Sequence, residues 1–193
     1  YVGWGTTFFD ADNDGDLDLF VANGHIMNDQ ELDSDTLTYA QPDQLFENRG
    51  EGKFAEISIQ SGDYFSQHHV ARGAVHLDYD NDGDLDLATA GKLWINQAAA
   101  GPKNKWIALT LEGDGKKVNR SAIGAMVRIR LKDRVLTRHV ESGTGEGNQN
   151  QVRLHFGLGA HQGPVDVEIT WLGAGKQTVK GLAVGRVHKL TFK

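Results

Sequence analysis

Segments in which apolar and polar residues alternate recur along the chain and predict β-strands. In "AMVRIRLK", Val127, Ile129 and Leu131 alternate with basic residues, and in "VDVEITW", Val165 and Ile169 alternate with polar residues. A period of two is that of a half-buried strand, and glycine-rich turns separate the segments. The pattern predicts an all-β chain. About six or seven such strands in the C-terminal part predict an antiparallel β-sandwich there.

The N-terminal part contains an internal repeat. Gly5 aligns with Gly73 and Asp10 with Asp78, at a constant offset of 68 residues. Strand patterns flank an Asp-rich loop in both copies. The segment "QLFENRGEGKFAEIS" then predicts a hairpin in the first copy, whereas the second copy ends at "KLWINQ". Repeats of several strands are typical of propeller blades, which bury their faces by stacking on neighbours.

Two repeats fall short of the roughly four to eight blades of a closed propeller. We therefore expect partial blades, completed by further blades or by another chain. We also expect a longer N-terminal region, because Tyr1 opens in mid-strand. The polar and acidic stretch 24–43 is predicted to be a surface loop inserted between two strands of the first copy.

Each copy places five aspartates at alternate positions. In D-x-D-x-D-G, the side chains at positions 1, 3 and 5 can converge on one point, because the glycine at position 6 allows a sharp turn. The backbone carbonyl at position 7 and the carboxylate at position 9 complete a set of oxygen ligands that suits calcium better than magnesium. The sequence therefore predicts two calcium sites, formed by Asp10, Asp12, Asp14, Asp16 and Asp18 and by Asp78, Asp80, Asp82, Asp84 and Asp86.

The aspartate spacing has two alternative interpretations. An EF-hand is excluded because position 12 is Val21 in one loop and Thr89 in the other, where that motif requires Glu, and because strands flank both loops. The other alternative is a solvated acidic turn without an ion. The match of both copies at every ligand position argues against it.

These motifs carry a resemblance to known families. The aspartate loops followed by "QLFENRGEGKF" resemble the FG-GAP/VCBS type of calcium-binding propeller repeat. The tail, with "NRSAIGAMVRIRL", "LHFGLGA" and "VDVEITW", resembles the ASPIC/UnbV domain that follows such repeats in bacterial secreted proteins and in the cartilage acidic protein family. The resemblance implies a β-propeller plus a small β domain, and no established catalytic residues.

A domain boundary is predicted near "NQAAAGPKNK", with blades in residues 1–97 and the sandwich in residues 103–193. Residues 1–97 hold 19 acidic and 4 basic side chains, a net charge of −15, whereas residues 98–193 hold 7 and 16, a net charge of +9. Either the basic half docks on the acidic half, which we prefer, or it presents a face to anionic glycans or other polyanions. Nucleic acid is disfavoured because no recognition motif accompanies the charge.

Other residue patterns do not indicate an enzyme. The sequence has no cysteine, no G-x-S-x-G motif and no zincin spacing of His, and no stretch is apolar enough to span a membrane. His68 and His69 could ligate a metal, but the sequence favours a polar loop. His155 is favoured as a structural residue. The tryptophans are predicted to pack in strands, and they are Trp4, Trp94, Trp106 and Trp171.

We predict an extracellular or periplasmic calcium-binding protein that acts as a binding, adhesion or structural interaction module and not by catalysis. Its partner would be a protein or an anionic polysaccharide. The alternative is an accessory carbohydrate-binding module of a larger secreted enzyme.

Overall fold

The computed structural model describes residues 1–27, 38–97, 104–145 and 147–193. These residues fold into β-strands and turns, with two short 3-10 helical segments at Ser58–Ser61 and Asp63–Ser66. The prediction of an all-β chain is confirmed. No helix within these ranges is long and apolar enough to cross a membrane.

The described strands of the N-terminal part form two open antiparallel sheets. The strands are β1 (Gly3–Phe9), β2 (Asp18–Asn23), β3 (Gln44–Asn48), β4 (Phe54–Glu56), β5 (Ala74–Leu77), β6 (Asp86–Thr89) and β7 (Lys92–Trp94). The first sheet has the order β1-β2-β3-β4 and the second the order β5-β6-β7. The predicted hairpin is confirmed, because β3 pairs with β4 in antiparallel register.

The two sheets repeat one another around the aspartate loops. Phe9 pairs with Asp18 across β1 and β2, and Leu77 pairs with Asp86 across β5 and β6. Each aspartate loop therefore connects the first two strands of its sheet. We name residues 10–18 the first loop and residues 78–86 the second loop.

The second sheet has a free edge within the described ranges. No described strand pairs with the outer side of β7, where Leu93 and Ile95 are 38% and 43% exposed. The described strands likewise form no closed ring of blades. Completion by further blades or by another chain stays a prediction.

The inserted stretch 24–43 is not a surface loop at its C-terminal end. Gln41 and Asp43 are buried, and Asp43 accepts hydrogen bonds from the backbone N–H of Asn23 and from the hydroxyl of Tyr64. Gln41 exchanges two backbone hydrogen bonds with His69. The prediction fails here because the polar groups of this end are satisfied inside the fold. Residues 28–37 lie outside the described residues.

The C-terminal sandwich, residues 104–193, contains two sheets. Its strands are β8 (Lys105–Glu112), β9 (Met126–Arg130), β10 (Val135–His139), β11 (Leu154–Gly159), β12 (Val165–Trp171), β13 (Gly175–Leu182) and β14 (Val187–Thr191). One sheet has the order β10-β9-β12-β13 and the other the order β11-β8-β14. The sandwich is not entirely antiparallel as predicted, because β14 runs parallel to β8. The chain crosses from one sheet to the other before β14, and a crossover connection permits parallel pairing.

Each part of the chain has its own hydrophobic core. In the sandwich, alternate residues such as Val127, Ile129 and Trp171 are buried against Phe156. In the N-terminal part, Phe20 packs with the rings of Tyr64 and Phe65 and with Phe9. Each such side chain stabilises the fold by roughly 1.5–3 kcal/mol relative to an exposed position. The alternation seen in the sequence is the alternation of burial in these strands.

Candidate metal centres

The backbone of both loops adopts the same turn. Gly15 and Gly83 have φ angles of +99° and +96°, which side-chain-bearing residues rarely adopt. Asn13 and Asn81 both have φ of +61°, in the left-handed region that Asn tolerates better than most residues. The predicted role of the glycines is confirmed. The role of the two asparagines was missed, although both copies carry Asn at this position.

Aspartate side chains hold the turn from within. Asp12 Oδ1 accepts a hydrogen bond from the N–H of Asp14 at 3.0 Å, and Asp14 Oδ1 accepts one from the N–H of Asp16 at 2.8 Å. The equivalent bonds at Asp80 and Asp82 measure 3.2 and 2.9 Å. Such bonds to the backbone two residues on are typical of Asp in turns. They orient the carboxylates toward the inside of the loop.

The structure brings together three carboxylates in each loop. In each group, one oxygen from every carboxylate lies within 4.8 Å of the others, so each group could hold a metal ion. The groups are Asp10, Asp12 and Asp14 in the first loop and Asp78, Asp80 and Asp82 in the second. Hard carboxylate oxygens are the ligands preferred by calcium and magnesium.

The aspartates at position 9 of the loops, Asp18 and Asp86, are not members of these groups. They accept hydrogen bonds from the backbone instead. Asp18 accepts hydrogen bonds from the N–H of Ala11 at 3.0 Å and from the N–H of Asn48 at 2.9 Å. Asp86 accepts the equivalent two bonds, the second of them from Asn96. Each aspartate thus ties the start of its loop to the end of the third strand. Their role as ligands stays a prediction.

The position-7 side chains point to neighbours other than the clusters. Asp16 Oδ1 lies 3.6 Å from Arg134 Nη1, and Asp84 Oδ1 accepts a hydrogen bond from the Asn13 amide at 3.0 Å. The prediction for these two residues concerned their backbone carbonyls as ligands, and it stays a prediction.

Asp10 is the most unfavourably placed carboxylate of the first loop. It is 1% exposed, and its Oδ1 atom has no hydrogen-bond partner among the described residues. Burial raises the pKa of Asp10 to about 7, although the Arg138 guanidinium nearby lowers it. Burial also raises the pKa values of Asp18 and Asp84 to about 6. A buried carboxylate with a free oxygen fits a cation, which would supply the missing partner.

Comparison with known families agrees with this geometry. The FG-GAP-like repeat family model matches residues 10–89, which include both loops. The ASPIC and UnbV family model matches residues 115–193. The chain is an FG-GAP-like repeat followed by an ASPIC and UnbV domain. The family resemblance of the sequence is therefore confirmed.

Two further comparisons, with curated proteins and with solved structures, do not indicate a function. No curated protein matches the chain at a significant level. A crystal structure from Bacteroides uniformis, described as a candidate cell adhesion protein, aligns over 100% of this chain and 86% of its own. Its TM-score of 0.31 and identity of 12% support no argument about fold or function.

The ASPIC and UnbV domain lies directly on the first loop of the FG-GAP-like repeat. The N–H of Gly157 donates to Asp10 Oδ2 at 3.0 Å, and the N–H of Gly159 donates to the carbonyl of Asn13 at 2.9 Å. The Arg134 side chain donates to the carbonyl of Asp14. The buried face of this loop is therefore built by both parts of the chain.

The second loop contacts the C-terminal sandwich on one side. His155 Nε2 lies 2.9 Å from the carbonyl of Gly83, and the Trp106 ring covers Gly83 so closely that a Cβ atom there would overlap it. Arg153 Nη1 lies 3.5 Å from Asp78 Oδ2 and donates to Asn81 at 2.9 Å. These contacts were missed from the sequence. The opposite net charges of the two halves were the sequence signal for these contacts. The contacts support the explanation that the basic half docks on the acidic half.

A cavity of about 410 Å³ lies between the FG-GAP-like repeat and the ASPIC and UnbV domain. Its lining includes Thr7 and His76 from the repeat and Arg138, Asn150 and Arg153 from the domain. Thr7 Oγ1 and His76 Nδ1 are 2.8 Å apart. Convergent polar groups in a cleft between two units are typical of small-ligand sites.

The remaining candidates from the sequence have structural surroundings. His69 is buried and stacks on Tyr64 with ring centroids 5.0 Å apart, so it is not the polar loop residue that was predicted. His155 is buried in β11 as a structural residue. The tryptophans all lie in strands as predicted, namely Trp4, Trp94, Trp106 and Trp171, but Trp4 is exposed and does not pack in a core.

Proposed function

We propose that this protein is an extracellular calcium-binding interaction module with one calcium ion in each aspartate loop. The observation that carries the proposal is Asp10 Oδ1, a buried carboxylate oxygen that has no hydrogen-bond partner among the described residues and belongs to one of three converging carboxylates. A bound cation supplies the charge that the buried group lacks. The equivalent cluster at Asp78 supports a second ion.

Calcium is the preferred ion because of the number and geometry of the oxygen ligands that it accepts. It accepts six to eight oxygen ligands in flexible geometry, whereas magnesium demands a near-octahedral shell. The position-7 carbonyls and position-9 carboxylates of Asp16, Asp18, Asp84 and Asp86 would complete the shells. Calcium sites of extracellular modules have dissociation constants of about 10⁻⁴–10⁻³ M. In the extracellular location that we propose, millimolar calcium would fill sites of this affinity.

Equilibrium dialysis against radioactive calcium tests the number of sites. We expect about two ions per wild-type chain and about one in each of the variants Asp14→Ala and Asp82→Ala, because each substitution removes one ligand of one cluster. Asp63→Ala, at an exposed aspartate outside both loops, is the control and should bind two ions. A wild-type chain that binds no calcium at millimolar concentration would refute the proposal.

The proposed interaction role depends on basic side chains that stay exposed while the C-terminal sandwich is docked on the aspartate loops. Arg134, Arg138 and Arg153 already neutralise loop aspartates, which accounts for part of the basic charge. Exposed basic side chains such as Lys180 and Arg186 remain on the sandwich and can contact an anionic polysaccharide.

Binding to dextran sulfate at increasing salt concentration tests this partner class. We expect affinity to fall steeply with salt, because exposed charges are screened beyond a Debye length of ~8 Å at physiological ionic strength. The double variant Lys180→Glu, Arg186→Glu should bind more weakly than the wild type. Absence of binding at low salt, or binding that does not depend on salt, would leave docking as the explanation of the charge and favour a protein partner.

A further inference from the structure

Most residues of the first loop contact the C-terminal sandwich. Six of the seven residues 10–16 form a hydrogen bond or ion pair with residues 104–193. The pairs are Asp10 with Gly157 and Arg138, Asp12 with Asn104, Asn13 with Gly159, Asp14 with Arg134, Gly15 with Arg138, and Asp16 with Arg134. Asp10, Asn13 and Gly15 are buried, whereas Asp12, Asp14 and Asp16 are partly exposed.

The second loop is held differently. Its cluster has one buried member, Asp78, and two exposed members, Asp80 and Asp82. The sandwich contacts Asp78, Asn81 and Gly83, and the side chains of Asp80 and Asp82 face water. An ion in the second loop can therefore exchange with solvent while the sandwich stays in place.

Docking changes the first cluster in two ways that concern a cation. The Gly157 N–H holds Asp10 Oδ2 at 3.0 Å and so fixes the orientation of the carboxylate. The same contact leaves Oδ1 buried and without a partner. The nearest described guanidinium nitrogen, on Arg138, lies 3.8 Å from Oδ2 and does not satisfy Oδ1. A docked sandwich without a cation therefore buries a carboxylate whose Oδ1 atom has no hydrogen-bond partner among the described residues and whose Oδ2 atom lies 3.8 Å from Arg138, and such burial is costly.

We propose that docking of the C-terminal sandwich and calcium binding at the first loop are thermodynamically linked, so that the first site acts as a metal-dependent latch between the two parts of the chain. Linkage is reciprocal: the docked sandwich tightens the first site, and calcium in that site stabilises the docked state. The second site, in which Asp80 and Asp82 are exposed, should depend less on docking. This inference rests on the proposed calcium function and adds the part that the sandwich plays in it.

The variant Gly157→Ala tests the latch. A Cβ atom at residue 157 would overlap Asp10 Oδ2 and the backbone of Asn13, whereas a Cβ atom at Gly163 meets only His161 at 3.8 Å. Gly163→Ala is therefore the matched control in the same domain. Both substitutions are made in a chain carrying Asp82→Ala, which removes one ligand of the second cluster, so that calorimetric titration with calcium chloride reports mainly the first site. We expect Gly157→Ala to weaken binding about tenfold or more, within the usual range of coupling between sites, and Gly163→Ala to leave it unchanged.

Hydrogen exchange of the wild-type chain gives a second test that needs no substitution. Calcium should slow exchange of the amides of Gly157 and Gly159, which donate to the first loop, relative to exchange in chelator. Strand β13, at the far edge of the other sheet, is the internal control and should change less. Calcium binding with equal affinity in both glycine variants and no added protection would overturn the latch and leave the calcium function intact. A wild-type chain without calcium binding would overturn both.

Discussion

Chelating calcium is expected to lower the melting temperature of the wild-type chain by several degrees. With dissociation constants of about 10⁻⁴–10⁻³ M, each site adds about 0.4–1.4 kcal/mol at millimolar calcium through mass action. Two sites together give about 1–3 kcal/mol. At about 2–4 °C per kcal/mol for a chain of this size, the melting temperature should fall by about 2–12 °C in chelator.

The single-site variants show whether the shift belongs to the loops. In Asp14→Ala or Asp82→Ala, the shift between calcium and chelator should be about half that of the wild type, because one site remains. Asp63→Ala should keep the full shift. Scanning calorimetry measures all four proteins. Melting curves that coincide in calcium and in chelator would contradict calcium binding by these loops.

The difference in the melting temperature of the wild-type chain between calcium and chelator should increase as pH rises. Burial raises the pKa of Asp10 to about 7 from an ordinary value of 3.8, so the metal-free folded state binds more protons than the unfolded state between these values. This proton-linked stabilisation of the metal-free folded state is lost as pH rises through this window. Above the window, calcium no longer competes with a proton for Asp10. Desolvation lowers the pKa values of His76 and His155 to about 4, which acts in the opposite direction below pH 6.5. The histidine contribution is present with calcium and with chelator, so it largely cancels from the difference in melting temperature between the two conditions. That difference should be larger at pH 7.5 than at pH 5. A shift that does not change with pH would contradict competition with protons.

Replacing Gly83 by Ala is expected to cost about 2–5 kcal/mol of unfolding free energy. The φ angle of +96° disfavours a residue with a Cβ atom by about 1–2 kcal/mol. The Cβ atom would also overlap the Trp106 ring, and overpacking of this kind costs about 1–3 kcal/mol. Urea denaturation in saturating calcium measures the change.

Gly91→Ala is the control that separates strain from overlap. Gly91 also has a positive φ of +72°, but nothing lies within 4 Å of a Cβ atom there. It should lose only the strain energy of about 1–2 kcal/mol. The double variant Gly83→Ala, Trp106→Leu should cost less than the sum of the two single changes, because the smaller side chain makes room. Additive effects would show that Trp106 does not pack on the second loop.

The loops could be predicted from the sequence because their geometry is local. The turn requires Gly15 and Gly83, and the three converging carboxylates lie within five positions of each other, so spacing alone indicated the two clusters. Strand alternation was equally visible, because a period of two is decided by which face of a strand is buried. The hairpin of β3 and β4 follows from the same local rules.

The environment of the loops was decided only by the tertiary structure. Asp10 and Gly157 are 147 residues apart in the chain, and no local pattern indicates that they meet. The charge split indicated that the two halves attract one another, but it could not show that Arg134 and Arg138 reach the first loop or that Trp106 covers Gly83. The parallel pairing of β14 with β8 and the burial of Asp43 were hidden for the same reason. Spacing along the chain determines which groups can form a turn, whereas the packing of distant segments determines which of those groups lose contact with water.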